Sequence, residues 1–184
     1  MKKVILLIIV GLILTLLTGC SGVFDLGGFV VPEIHKTEFM ACIEQLYTPQ
    51  KIANYMQENF TYEKHAFYAP SPYTLWLTKN GDCNDFSTFG VYAANYHGYE
   101  TYQVRIFYKN FSGKHCLAIY KENGLYNFSD NQYYFPVNYD NIYDIVKLDS
   151  QWMYYCYGYI WSKYEIYDYN NNLIEEVNNE RINN

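Results

Sequence analysis

The sequence predicts an α+β domain in which helices come first along the chain and antiparallel strands follow. Two helix-start signals, Thr48-Pro49 and Ser71-Pro72, each place a hydroxyl cap before a proline at the first helical position. Beyond position 100 the chain is rich in β-branched and aromatic residues, and Asn123-Gly124 is a strong signal of a two-residue hairpin turn. Helices and strands that are segregated along the chain in this way are typical of α+β domains.

Three helices are predicted in the first part of the chain. The first begins at Thr48-Pro49 and keeps one apolar face, and the second begins at Ser71-Pro72 and ends before Asn80-Gly81. The third begins at Cys83 and continues to about His97, because its apolar residues recur at helical spacing before a closing glycine.

The remainder of the chain is predicted to be mostly strand. Apolar and polar residues alternate along its β-forming segments, and the Asn123-Gly124 turn joins two of these segments into a hairpin. A short helix with one apolar face interrupts them at 141–148. The predicted strands cover residues 101–108, 115–120, 125–128, 154–167 and 173–177.

Cys83 is the candidate nucleophile. It lies in the first turn of the third predicted helix, where unpaired backbone N–H groups favour the negative charge of a thiolate. His115 follows on a predicted strand and Asp130 follows beyond the hairpin turn. This order supplies a nucleophile, a base and a carboxylate that orients the base. A buried core cysteine is the alternative for Cys83, but its polar neighbours favour the nucleophile.

The motifs around these three residues resemble the transglutaminase-like superfamily. Its bacterial members carry a Gly-Asp-Cys-x-Asp-Phe-Ala-like motif, followed by a histidine on one strand and an aspartate on the next. The resemblance covers roughly residues 48–135 and departs from the family at Leu117, often an aromatic residue, and after Asp130, where Pro-Thr often follows. The matching segments are Gly81-Asp82-Cys83-Asn84-Asp85-Phe86-Ser87, Lys114 to Tyr120 and Leu125 to Asp130.

The resemblance implies a transglutaminase-like or papain-like cysteine-protease fold, with the nucleophile helix packed on an antiparallel sheet. It also implies a catalytic triad of Cys83, His115 and Asp130. The backbone N–H of Cys83 is a natural oxyanion donor, and Tyr73 or Trp76 are the candidates for a second donor.

Thiol-dependent acyl transfer from an amide is the favoured function. The resemblance to bacterial transglutaminase-like cysteine proteinases favours hydrolysis, although either water or an amine remains possible as the acyl acceptor. The alternative is a non-catalytic surface lipoprotein that uses the same cleft to bind peptide or glycan. NlpC-type cell-wall peptidases also place a cysteine at a helix start, but usually within Asp-Cys-Ser-Gly, whereas Asn84-Asp85 follow Cys83 here.

The amino terminus has the architecture of a bacterial lipoprotein signal. Two lysines precede an apolar run from Val4 to Leu17, which ends in the lipobox-like Leu17-Thr18-Gly19-Cys20. We expect a signal peptide at 1–19, a tether at 20–36 and the transglutaminase-like domain at 37–184. Lipidated Cys20 would then hold the protein outside the cytoplasm on the bacterial cell membrane. An uncleaved transmembrane anchor is the alternative, although the run is short for a spanning helix.

The amino-acid composition limits the classes of molecule that the protein is expected to bind. The net charge of −6 and the absence of clustered lysine and arginine argue against nucleic acid. A peptide, protein or cell-wall peptide is therefore the expected substrate, and we expect a monomer without a cofactor. No metal is expected, because His35, His65 and His97 show no metal-ligand spacing.

Four cysteines remain besides the lipobox residue. An even number suggests two disulfides in an exported protein, but a catalytic Cys83 must stay reduced. Cys42, Cys116 and Cys156 are then expected to be small buried hydrophobes. The 23 tyrosines are interpreted mainly as strand residues, with an aromatic recognition surface as the alternative.

Overall fold

A computed structural model describes residues 24–26, 29–31, 33–64 and 71–179 of the chain. The chain divides into two compact units, Met1–Cys42 and Ile43–Asn184. In the first unit, strands β1 (Phe24–Leu26) and β2 (Phe29–Val31) pair antiparallel. Helix α1 (Glu33–Gln45) begins in this unit. The predicted signal peptide and Cys20 lie outside the described residues, and the predicted domain boundaries stay a prediction.

The remaining helices are α2 (Pro49–Asn59), α3 (Pro72–Thr78), α4 (Cys83–Tyr96) and α5 (Ile142–Tyr157). Both predicted helix starts are confirmed. Thr48 Oγ1 accepts the backbone N–H of Lys51 at 3.2 Å, and Ser71 Oγ accepts that of Thr74 at 3.5 Å. Among the described residues, no helix is long and apolar enough to cross a membrane.

Six antiparallel strands form the main sheet, in the order β10-β9-β5-β6-β7-β8. A separate parallel pair joins β3 (Thr61–Tyr62) to β4 (Asn80–Gly81). The predicted α+β class is thus confirmed. The bounds of the main strands are β5 Glu100–Tyr108, β6 Phe111–Glu122, β7 Leu125–Asp130, β8 Tyr133–Tyr139, β9 Trp161–Tyr167 and β10 Leu173–Asn178.

The sheet lies between helices α4 and α5. On one face, α4 approaches β6 so closely that a Cβ on Gly90 would lie 3.1 Å from the Ala118 Cβ. On the other face, residues of β5 and β6 pack with α5 in one buried cluster, which includes Ile106, Leu117 and Ile145. Alternate residues of β6 therefore face different helices. The expected arrangement of the nucleophile helix on an antiparallel sheet is confirmed.

The predicted strand at 154–167 is wrong in its first part. Residues 154–157 continue α5, and only Trp161–Tyr167 forms a strand. The helix ends at Gly158, whose φ of 70° gives the left-handed turn common at helix ends. The tyrosines before Gly158 have a local preference for strands. Burial of Ile145, Val146 and Asp149 on one face of the helix outweighs this preference. Strand β8 and helix α1 were not predicted.

Candidate active site

The start of α4 is fixed by a reciprocal capping box. The Asp82 side chain accepts the backbone N–H of Asn84 at 2.9 Å, and the Asp85 side chain accepts that of Asp82 at 2.9 Å. Asp85 is 1% exposed, so this cap is internal to the fold. A Cβ on Gly81 would lie 2.7 Å from the Asp85 Cβ, which explains the glycine. The cap orients Cys83 as the first residue of the helix.

The hairpin of β6 and β7 positions His115 and Asp130. Asn123 and Gly124 adopt φ values of 54° and 86°, as a two-residue hairpin turn requires. His115 lies on β6, and Asp130 lies on β7 opposite Leu117. The distance from His115 Nε2 to Asp130 Oδ1 is 3.0 Å. Nε2 has no assigned hydrogen-bond partner among the described groups, so this contact is an ion pair.

Asp149 places a second carboxylate beside the same imidazole. Its Oδ1 lies 3.7 Å from His115 Nε2, and its side chain is 6% exposed. The Tyr108 hydroxyl donates a hydrogen bond of 3.4 Å to Asp149 Oδ2. Burial raises the pKa of Asp149 from 3.8 to about 6, although His115 acts against that rise. Sequence reasoning missed this residue because the predicted helix ended at 148.

The thiol of Cys83 is strongly acidified. Its pKa falls from 9.0 to about 5, chiefly because Cys116 donates a hydrogen bond to it. Burial opposes this change, while hydrogen bonding and the charge of His115 support it. The Cys83 Sγ also lies 3.9 Å from the backbone oxygen of Lys114, next to His115. The lowered pKa favours the thiolate form of Cys83.

The neighbours of His115 favour the protonated form of its imidazole. Burial lowers its pKa, but the contacts with Asp130, Cys83 and Asp149 outweigh burial and hold the pKa well above 6.5. The structure thus brings Cys83, His115 and Asp130 together, with pKa shifts that favour a thiolate on Cys83 and a proton on His115. Such an arrangement is chemically capable of nucleophilic attack followed by proton donation.

Cys116 has a role that the sequence did not indicate. It is buried, as expected, and its own pKa is raised well above 9.0, chiefly by its interaction with Cys83 and by burial. Its Sγ lies 3.7 Å from Asn84 Oδ1. Cys42 is half-buried and Cys156 is exposed, so the expectation of a buried hydrophobe is wrong for Cys156. All four of these cysteines are free thiols.

Tyr62 is a further neighbour of the thiol. It pairs with Gly81 across the short parallel strands β3 and β4, which brings it next to the start of α4. Burial raises the pKa of Tyr62 to about 12, and the negative charges of Cys83 and Asp82 add to that rise. The resemblance already included Phe60-Thr61-Tyr62 upstream of the cysteine motif, but the sequence did not indicate that Tyr62 lies next to the thiol.

The two oxyanion candidates lie on α3. The ring centroids of Tyr73 and Trp76 are 5.9 Å apart, and the Lys79 ammonium lies 4.6 Å from the Trp76 ring centroid. Their assignment as oxyanion donors stays a prediction.

One cluster has the ligand types of a metal site. The ligand atoms of His115, Asp130 and Asp149 all lie within 4.8 Å of one another. The raised pKa of His115 favours a proton on its imidazole. A metal cation bound by this cluster would have to displace that proton, because a protonated ring nitrogen has no lone pair to donate.

Comparison with known proteins gives structural likenesses alone. No family model and no curated protein matches the chain. Calcium-bound LapG of Legionella pneumophila is 15% identical with a TM-score of 0.45, over 56% of this chain and 67% of that chain. EGTA-treated LapG is 11% identical with a TM-score of 0.47, over 82% and 83%.

A candidate cysteine protease of Cytophaga hutchinsonii is 12% identical with a TM-score of 0.44, over 55% of this chain but only 39% of that chain. Because all these TM-scores are below 0.5, the fold class rests on the sheet order and helix packing described above.

Proposed function

We propose that this protein is a transglutaminase-like thiol enzyme that hydrolyses peptide amides through a triad of Cys83, His115 and Asp130. The observation that carries the proposal is the position of Cys83 as the first residue of α4, with its sulfur 3.9 Å from the backbone oxygen of Lys114, the residue before His115. The lowered pKa of Cys83 and the raised pKa of His115 support the same assignment. Asp130, 3.0 Å from His115 Nε2, supports the imidazolium. A buried cysteine without chemistry has no need of this arrangement of charges.

The proposed reaction has two steps. The Cys83 thiolate attacks the amide carbonyl carbon, forming a carbon–sulfur bond, while His115 gives its proton to the departing amine as the carbon–nitrogen bond breaks. Neutral His115 then accepts a proton from water, whose oxygen attacks the thioester carbonyl. The products are a carboxylic acid and the regenerated thiolate–imidazolium pair. A primary amine in place of water would give a new amide instead.

The proposed substrates are peptides, proteins or cell-wall peptides outside the cytoplasm. A lipid on Cys20 would tether the enzyme to the bacterial membrane, as the amino-terminal signal predicts.

The test is an assay of peptide amides with and without a primary amine. We expect Cys83→Ala to abolish turnover, and Asp130→Ala to reduce it less, because the carboxylate only orients and supports the imidazole. Cys156→Ala, which removes an exposed thiol, is the matched control and should keep full activity. If Cys83→Ala kept full activity, or if the wild type bound peptides without forming a thioester, the non-catalytic binding function would replace this proposal.

A further inference from the structure

A cleft of about 480 Å³ adjoins the candidate nucleophile on the α4 face of the sheet. One wall contains Asn84, the residue after Cys83, and another contains Lys114, whose backbone oxygen is 3.9 Å from the Cys83 sulfur. A substrate whose amide reaches Cys83 would therefore extend part of its chain into this cleft. The cleft is distinct from the side of the sheet where Asp149 contacts His115.

Two cationic side chains line this cleft. Lys114 and Arg105 are both half-buried, and neither forms an ion pair with any carboxylate in the described ranges. Other cations of the sheet are paired, for example Lys121 with Glu100 at 3.0 Å and Lys163 with Glu165 at 2.7 Å. Glu165 lies opposite Arg105 on β9 and interacts with it electrostatically, but its carboxylate binds Lys163 at 2.7 Å and the Tyr167 hydroxyl at 2.7 Å. Cations without an ion-pair partner are unusual in a chain with a net charge of −6, so they indicate an anionic ligand.

The Arg105 guanidinium is held in place by neutral groups. Its Nε donates to Gln103 Oε1 at 2.7 Å, and its Nη2 donates to Asn171 Oδ1. Its Cζ atom lies 3.7 Å from the centroid of the Tyr167 ring. A guanidinium has five N–H donors, so this support fixes its orientation while leaving donors for a ligand. A fixed planar fork is suited to binding a carboxylate through two parallel hydrogen bonds.

The acidic residue in the cleft wall, Asp168, forms no ion pair with these cations. Asp168 uses its carboxylate to close its own turn, accepting the backbone N–H groups of Asn170 at 2.9 Å and of Asn172 at 2.8 Å. It also accepts the Asn172 side-chain amide at 2.9 Å. Lys114 and Arg105, in contrast, act electrostatically on the Cys116 thiol, which is the hydrogen-bond donor to Cys83. Their charge thus reaches the reacting centre.

From these contacts we infer that the cleft is a substrate subsite in which Lys114 and Arg105 bind a carboxylate close to the scissile amide. The inference rests on the proposed function, because it takes Cys83 as the nucleophile. The substrate class is then an acidic peptide, one that carries a side-chain or terminal carboxylate within about a residue or two of the bond that is cleaved. Asn84 and Gln103 supply neutral hydrogen-bonding groups to the same cleft.

The test compares two alkylating reagents of similar size, anionic iodoacetate and neutral iodoacetamide, on the full-length protein. Mass spectrometry of digested protein gives the rate at each cysteine, and the exposed Cys156 is the internal reference. We expect the ratio of the iodoacetate rate to the iodoacetamide rate to be higher at Cys83 than at Cys156. Lys114→Gln should lower the Cys83 ratio roughly two- to fivefold, the effect of one charge across a partly hydrated cleft.

The ratio separates charge recognition from general reactivity, because a change in the pKa of Cys83 alters both rates alike. Lys51→Gln on α2 removes the same charge outside the cleft and should leave the ratio unchanged, while Lys114→Arg should preserve it. In the wild type, 0.5 M salt should reduce the preference, which tests the inference even if a variant fails to fold.

The outcomes distinguish the two proposals. If Cys83 reacts with iodoacetamide no faster than Cys156, the proposed function fails. If Cys83 is the more reactive but shows no preference for iodoacetate, or if Lys114→Gln leaves the ratio unchanged, the carboxylate subsite is wrong while the thiol enzyme stands.

Discussion

His115 lies between two carboxylates that differ in environment. Asp130 is 26% exposed and can be solvated, whereas Asp149 is 6% exposed and contacts the hydroxyl of Tyr108. A buried carboxylate is costly when it is charged, and the raised pKa of Asp149 expresses that cost. The charged form of Asp149 therefore lowers the stability of the folded protein, while it raises the pKa of His115.

Asp149→Asn should raise the stability of the protein at neutral pH. The pKa of the Asp149 carboxyl is higher in the folded protein, so protonation favours folding: the contribution of this group to stability is greatest below pH 3.8 and is lost as the pH rises through about 6. Asparagine removes this decline, giving a gain on the order of 2 kcal/mol above pH 6 and no difference near pH 3.5. Urea unfolding at both pH values measures this. An equal effect at the two pH values would contradict the ionised role of Asp149.

Cys116 controls the acidity of Cys83, so its replacement should change the pH dependence of the thiol. In the wild type, the rate of Cys83 alkylation by iodoacetamide should fall only below about pH 5. Cys116→Ala removes the hydrogen bond that is the largest cause of that low pKa, so the midpoint should move up by about one to two pH units. Cys116→Ser keeps a donor and should restore the low midpoint. A midpoint that is the same in all three proteins would exclude this role.

At the scale of elements, the site depends on how closely α4 meets the sheet. Gln103 of β5 links the two, because its Nε2 donates to Ser87 Oγ at 2.7 Å and to Thr88 Oγ1 at 3.1 Å. Gly90 allows the approach, since a Cβ there would lie 2.5 Å from the hydroxyl oxygen of the fully buried Tyr120. These contacts set the position of Cys83 relative to the strand that carries His115.

Gly90→Ala should destabilise the protein although alanine is the better helix former. The new methyl group meets the Tyr120 hydroxyl in a packed interior, which costs about 1–3 kcal/mol and exceeds the gain of under about 1 kcal/mol in helix propensity. Tyr120→Phe removes the obstructing oxygen, so the double variant should recover much of the loss. Chemical denaturation of the four proteins in this cycle gives the coupling, and strictly additive effects would show that the two residues do not touch.

At the scale of the whole molecule, the predicted amino-terminal signal would determine where the proposed chemistry takes place. The predicted lipid attachment at Cys20 would confine the enzyme to the membrane surface and to substrates within reach of a tether. The carboxylate subsite would select among those substrates by charge.

Cys20→Ala should leave a product without lipid. We expect the wild type to fractionate with membranes and to carry the mass of an attached lipid, while the variant lacks that mass. Cys42→Ala is the matched control, because it also removes one thiol but lies outside the lipobox. Identical mass and processing in the Cys20→Ala variant would refute lipidation.

The α+β class, the helix that begins at Cys83 and the hairpin at Asn123-Gly124 could all be predicted from the sequence. Caps, prolines and turn residues act through nearby backbone groups, so a local pattern is enough to predict them. The sequence also predicted Cys83, His115 and Asp130 as the residues of the candidate site. Only the tertiary structure brought Asp149, Cys116 and the Lys114–Arg105 cleft to this site. These residues meet through sheet register and packing between elements distant along the chain, and no local pattern encodes such contacts. The same packing turned residues 154–157 into helix against their local preference for strand.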